Sequence, residues 1–193
     1  MLVNTHHLMG RILGEYYERE FSYGLNIKSF QKGIVKPDLE PELRKLEHRF
    51  EAVKDLLPLW EKEILSPEKD LADFSEGLGI ICHFLSDFFC AYHHHDELFD
   101  RNILRHLFYE FIIHIRLKAC LFLKKNFFIL SGVRKEEDNW QNVLYKFRKK
   151  YSIKKRNTRT DLLFALNCSA EIGSRIIAKR AKELKKKLKE KVA

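Results

Sequence analysis

The chain has 193 residues, 45% of them hydrophobic and 12% aromatic, enough to bury a core and too apolar for a disordered chain. Its formal charge of +9 favours anionic partners such as phospholipid head groups, nucleic acid or other phosphates. No run of about 18 apolar residues is present, which excludes a transmembrane helix, and MLVNTHHLMGR lacks the pattern of a secretion signal. The expectation is a cytoplasmic protein.

Sparse Gly and Pro and long periodic segments predict an all-α fold: a single multi-helix domain over 1–193, with 160–193 a basic C-terminal helix. The first helix is predicted from about Thr5 to Phe21, capped by Asn4 or Thr5. SYGLNIKSFQKGIVKPDLEP, with Gly24, Gly33, Pro37 and Pro41, reads as a loop. A helix is then expected from about Glu42 to Leu65, with Pro58 as a kink or early stop. Asp70 to Tyr92 is apolar almost all round and predicts the central, buried helix. Asp96 or Asp100 caps the next, to about Ile129, and shorter and longer helices follow over Glu136–Tyr151 and from Thr160 onward.

Residues 83 to 111, HFLSDFFCAYHHHDELFDRNILRHLFYEF, carry the chemistry. His83 and Asp87 are four apart, as are His106 and Glu110, so each pair stacks on one helix face and makes half a zinc site. Nine histidines among so many acids give roughly one His-x-x-x-acid pair by chance, and the chain has three, counting His93 and Glu97. The placement of His83 and Asp87 in a segment expected to be buried is the stronger signal, because unpaired polar groups are costly there. Mutual or backbone hydrogen bonds would offset the same cost without a metal.

The pattern His83-x-x-x-Asp87, His93 six residues later, and then His106-x-x-x-Glu110 resembles the zinc-binding core of bacterial phosphatidylcholine-type phospholipase C and the catalytic domain of alpha-toxin. Single-strand-specific zinc nucleases share that architecture. Asn4-Thr5-His6, Asp38 in Lys36-Pro37-Asp38, and His48 extend the resemblance over about residues 1 to 130. It implies an all-helical phosphodiesterase with two or three zinc ions. By the resemblance, Asp38, His48, His83 and Asp87 hold the first ion, and His93, His106 and Glu110 the second. A third takes His6, a share of Asp87 and the chain's N-terminal amino and carbonyl groups, although Met1 lies closer to His6 than is usual in the family. Ala91, Phe89 and Asp96 stand where the family commonly has Pro, a small or polar residue, and Asn.

Asp38, taken to lie on a flexible loop, is the expected catalytic residue, positioning or deprotonating the attacking water as well as coordinating. The expected substrate is a phospholipid. Single-stranded nucleic acid, or a metal-binding module without catalysis, is the alternative. His7 competes with His6, and His94 with His93 if the register slips by one. His95 is expected in solvent at a helix end, and His114, four residues past Glu110, in the core, at the surface or behind the ligands. Cys82 and Cys90, like Cys120 and Cys168, read as reduced thiols; at helical spacing the first two face away from His83 and Asp87, into the core. The tail RIIAKRAKELKKKLKEKVA reads as a packed helix with a basic outer face or as a peripheral membrane contact. The basic stretch YKFRKKYSIKKR reads as a solvated face rather than a nucleic-acid contact.

Overall fold

A computed structural model describes residues 1–21, 25–94, 103–123, 139–155 and 157–192. The described residues are helical, with no strand among them. In chain order the helices are α1 (Val3–Glu20), α2 (Ile27–Leu39), α3 (Pro41–Arg44), α4 (Phe50–Val53), α5 (Leu57–Ile64), α6 (Leu71–Asp87), α7 (Ala91–His94), α8 (Ile103–Phe122), α9 (Trp140–Ser152) and α10 (Thr158–Val192).

As its composition predicts, α6 is the central helix. Phe74, Leu78, Ile81, Cys82, Phe84 and Leu85 are buried on all sides of it, and α2, α5 and α10 pack around it. The Asp70 carboxylate caps its start by accepting from the Asp73 backbone N–H at 2.7 Å. It ends at Asp87, not at Tyr92, and a turn through Phe88–Cys90 separates it from α7.

Residues 27–39, expected to be loop, form α2 instead. The Asn26 side chain caps it, accepting from Ser29 N at 3.1 Å. Phe30, Ile34 and Pro37 are buried along one stripe, and this packing outweighs the backbone bond that Pro37 removes in the last turn. Asp38 therefore stands on a helix end rather than a flexible loop. Conversely, the helix expected over 42–65 is broken into α3, α4 and α5, with Pro58 in the first turn of α5, where its missing N–H costs nothing. The first helix starts two residues earlier than expected, with Leu2 rather than Asn4 or Thr5 at its cap. Residues 95–102 and 124–138, and with them the expected caps Asp96 and Asp100 and the partner Glu97, lie outside the described residues.

Close contact between α2 and α6 places part of the site. A Cβ on Gly33 would sit 2.0 Å from the Glu76 carbonyl oxygen, and one on Gly79 would sit 2.4 Å from that of Phe30. Both obstacles are backbone atoms, which cannot swing aside. Gly33→Ala is expected to destabilise the fold by about 3 kcal/mol, read from the midpoint of urea unfolding.

The C-terminal helix is packed against the core through its first half, with a basic outer face beyond. Ile172, Ile176 and Ile177 are buried, and the Arg180 guanidinium donates to the carbonyls of Ile64 (3.2 Å) and Lys69 (2.9 Å), fastening α10 to α5 and the start of α6. Residues 182–190 are exposed.

Candidate metal centre

Asp87, the last residue of α6, is fully buried, and four groups converge on it. Its Oδ1 lies 3.1 Å from His6 Nε2 and accepts from the Met1 α-amino group at 2.5 Å. Its Oδ2 lies 2.8 Å from His48 Nδ1 and 3.3 Å from His83 Nε2. Burial alone would raise the Asp87 pKa, but the Met1 amine and the imidazoles of His6, His93 and His83 hold it well below the usual carboxylate range. The amine responds in kind: burial lowers its pKa, and Asp87 and Glu110 outweigh that and push it up to about 12.

Each imidazole is aimed by its own element. His6 shares the buried stripe of α1 with Met9, Leu13 and Tyr17, whereas His7 points outward. Its ring stacks on His83 with centroids 3.9 Å apart. His83 Nδ1 lies 2.8 Å from the carbonyl oxygen of Ile34, which can only accept. The Nδ1 proton is thereby fixed, and the Nε2 lone pair faces the centre. The close approach of α2 and α6 puts that carbonyl within reach. His93 repeats the device, with Nδ1 donating to His48 O at 3.1 Å.

His93, His106 and Glu110 form a second group, joining α7 to α8. Glu110 Oε1 is 3.0 Å from His93 Nε2 and 2.8 Å from His106 Nε2. The Met1 amine lies 3.3 Å from the same oxygen and so links the two groups. Burial opposes ionisation of Glu110, but the amine and both histidines drive its pKa down strongly. Asp38 stands at the rim, its Oδ1 3.8 Å from His83 Nε2 and 4.0 Å from His48 Nδ1. Burial raises its pKa.

All eight residues named from the sequence thus meet in one neighbourhood. The side chains of His94 and His95 lie outside the described residues, and the His114 ring reaches Thr5 Oγ1 at 3.2 Å. Cys82 is in the core, 3.6 Å from the Tyr17 hydroxyl. Cys90 lies in the core as expected, with one addition. Its sulfur belongs with His93, His106 and Glu110 to a set of possible ligand atoms within 4.8 Å of one another. The helical spacing that turned it away ends at Asp87, three residues earlier. Burial pushes the Cys90 thiol up, so without a cation beside it the thiol stays protonated.

Two further contributors carried no signal in the sequence. Tyr92 stacks on His106, with ring planes 5° apart and centroids at 5.0 Å. Asp161, in the first turn of α10, accepts from Ala91 N (3.1 Å), the Tyr109 hydroxyl (2.7 Å) and the Tyr151 hydroxyl (2.9 Å). Burial raises its pKa to about 6 against the pull of those three donors. It ties α7, α8 and α9 together beside His93 and Glu110. Asp161→Ala removes the acceptor of all three bonds in a largely buried setting and is expected to cost about 3 kcal/mol, measured by urea unfolding.

The sequence model of the zinc dependent phospholipase C family matches residues 5–189. The chain belongs to that family. Comparisons with curated proteins and with solved structures returned no match.

The donor geometry suits the metal of this zinc-dependent family. Tetrahedral zinc with bonds of roughly 2.0–2.1 Å to nitrogen separates neighbouring donors by about 3.3 Å. Here His48 Nδ1 and His83 Nε2 are 3.2 Å apart, as are His93 Nε2 and His106 Nε2. Nitrogens this close need either a shared proton or a cation. Asp38 Oδ2 is buried without a hydrogen-bond partner among the described residues, which also fits an acceptor awaiting a cation.

Proposed function

We propose that the protein is a zinc-dependent hydrolase of phosphodiester bonds, a phospholipase C acting on phospholipids. The observation that carries this reading is the Asp87 carboxylate, fully buried, with His6 on one oxygen and His48 and His83 on the other. A carboxylate so placed would serve two cation sites. In this reading Asp38, His48, His83 and Asp87 hold one ion, and His93, His106 and Glu110 a second. His6, Asp87 and the α-amino group mark the place of a third. The reading is of a single domain that would hold two or three ions.

Zinc, when bound, supplies Lewis-acid neutralisation of the diester charge and acidifies water. The side chains do the rest. The Nδ1 contacts of His83 and His93 hold both rings with Nε2 inward. Asp38, at the rim with one free carboxylate oxygen, takes a proton from the attacking water. Burial makes it a stronger base than an exposed aspartate. The water oxygen bonds to phosphorus, the bond from phosphorus to the glycerol oxygen breaks, and that oxygen leaves as the diacylglycerol hydroxyl after protonation.

The test is phosphorylcholine release from phosphatidylcholine by the zinc-loaded chain, with single-stranded DNA and RNA assayed in parallel. Chelator-sensitive release is expected. Cleavage of nucleic acid alone would replace the substrate assignment, and no cleavage of any diester would overturn the enzymatic one.

A further inference from the structure

Helix α8 has two apolar faces, and among the described residues only one is covered. His106, Glu110, Ile113 and Leu117 form its buried stripe. On the other side Leu104, Leu107, Phe108, Phe111, Ile115 and Phe122 are exposed, Leu104 by 74%, Phe108 by 65% and Phe122 by 86%. Their spacing of three, four and seven residues puts them on one side of the helix, giving a continuous apolar strip of a kind that surfaces rarely leave in water without a purpose.

Charge selects the occupant. Glu110 is the single acidic residue of α8, and it faces inward. Arg116 and Lys118 are exposed along the strip. Two copies of the chain joined through this face would bring like charges together, in a protein whose formal charge is already +9. A phospholipid surface offers the complement, phosphates over an apolar interior. Beside the strip a cavity of about 580 Å³ has Leu104 and Phe108 in one wall and Tyr92 in another. Tyr92 is the ring stacked on His106, so one wall of the cavity is the side chain that covers that imidazole.

We propose that the outer face of α8 is the surface through which the protein seats on a phospholipid membrane. The six apolar side chains enter the interface, Arg116 and Lys118 meet phosphates, and the cavity receives acyl chain beside Tyr92. The choice of lipid as the occupant rests on the phospholipase reading.

The experiment is co-sedimentation of the zinc-loaded full chain with vesicles of phosphatidylcholine and phosphatidylserine. Ile115→Glu/Phe122→Glu, about one and a half and three turns beyond Glu110, is expected to lower the vesicle partition coefficient at least tenfold, with wild-type zinc content and helical circular dichroism. Phe111→Ser serves if the double variant does not fold, with a smaller loss in the same direction. Wild-type protein that ignores vesicles overturns the proposal, as does binding that neither variant weakens. A wild-type dimer that Ile115→Glu/Phe122→Glu dissociates, with no vesicle binding, assigns the face to a second copy instead. Variant-sensitive binding by a protein that hydrolyses no lipid sustains the surface and rejects the phospholipase reading.

Discussion

Asp87→Asn is expected to lower kcat/KM for phosphatidylcholine by about a thousandfold or more, on the order of 4 kcal/mol of transition-state stabilisation. Asparagine keeps the size of the side chain and loses the negative charge. That charge is what His6, His48, His83 and the Met1 amine converge on. An amide would also turn two donors toward groups that require an acceptor. Bound zinc, measured by atomic emission after gel filtration, should fall by at least one ion per chain. Glu42→Gln, far out on the surface in a simple pair with Lys45, should change neither quantity. A fully active Asp87→Asn enzyme with its zinc intact would remove the basis for the proposed mechanism.

Removing zinc with a chelator is expected to lower the thermal midpoint by roughly 8–16 °C. A ligand present at about a thousand times its Kd stabilises the native state by about 4 kcal/mol, and each kcal/mol is worth roughly 2–4 °C in a chain of this size. The physical source is the arrangement of the donors. His6 Nδ1 and Asp38 Oδ2 are buried with no hydrogen-bond partner among the described residues, and two pairs of imidazole nitrogens stand 3.2 Å apart. Without a cation, that arrangement costs desolvation and returns few bonds. Restoring zinc should restore the midpoint, and identical melting with and without chelator would show that the side chains satisfy one another.

The sequence was most legible where spacing and burial coincided. His83 and Asp87 stand one turn apart on a helix that is apolar all round, so both had to lie inside the fold. His106 and Glu110 follow the same rule on α8. The α2 segment was not legible, because Gly24, Gly33, Pro37 and Pro41 read locally as breakers. Gly33 is there to let α2 approach α6, and Pro37 is tolerated because its stripe is buried. Local propensity loses to packing in such places. The end of α6 was misjudged in the opposite sense: apolar character continues through Phe88–Cys90, and only the three-dimensional turn brings Cys90 round to His93.

By itself, then, the chain's pattern of apolar residues determined an all-helical protein, and its spaced histidines and carboxylates carried the resemblance to the zinc-dependent phospholipases. Both are short-range properties, set by the 3.6-residue repeat. Tertiary structure alone decided which atoms of those residues face one another. It put His6 rather than His7 beside Asp87 through the buried stripe of α1, fixed the His83 ring through a carbonyl 49 residues away, and brought in Asp161 from 70 residues beyond Ala91. Contacts between distant segments leave no periodic trace in a single sequence, because they follow from how helices pack and not from how any one of them winds.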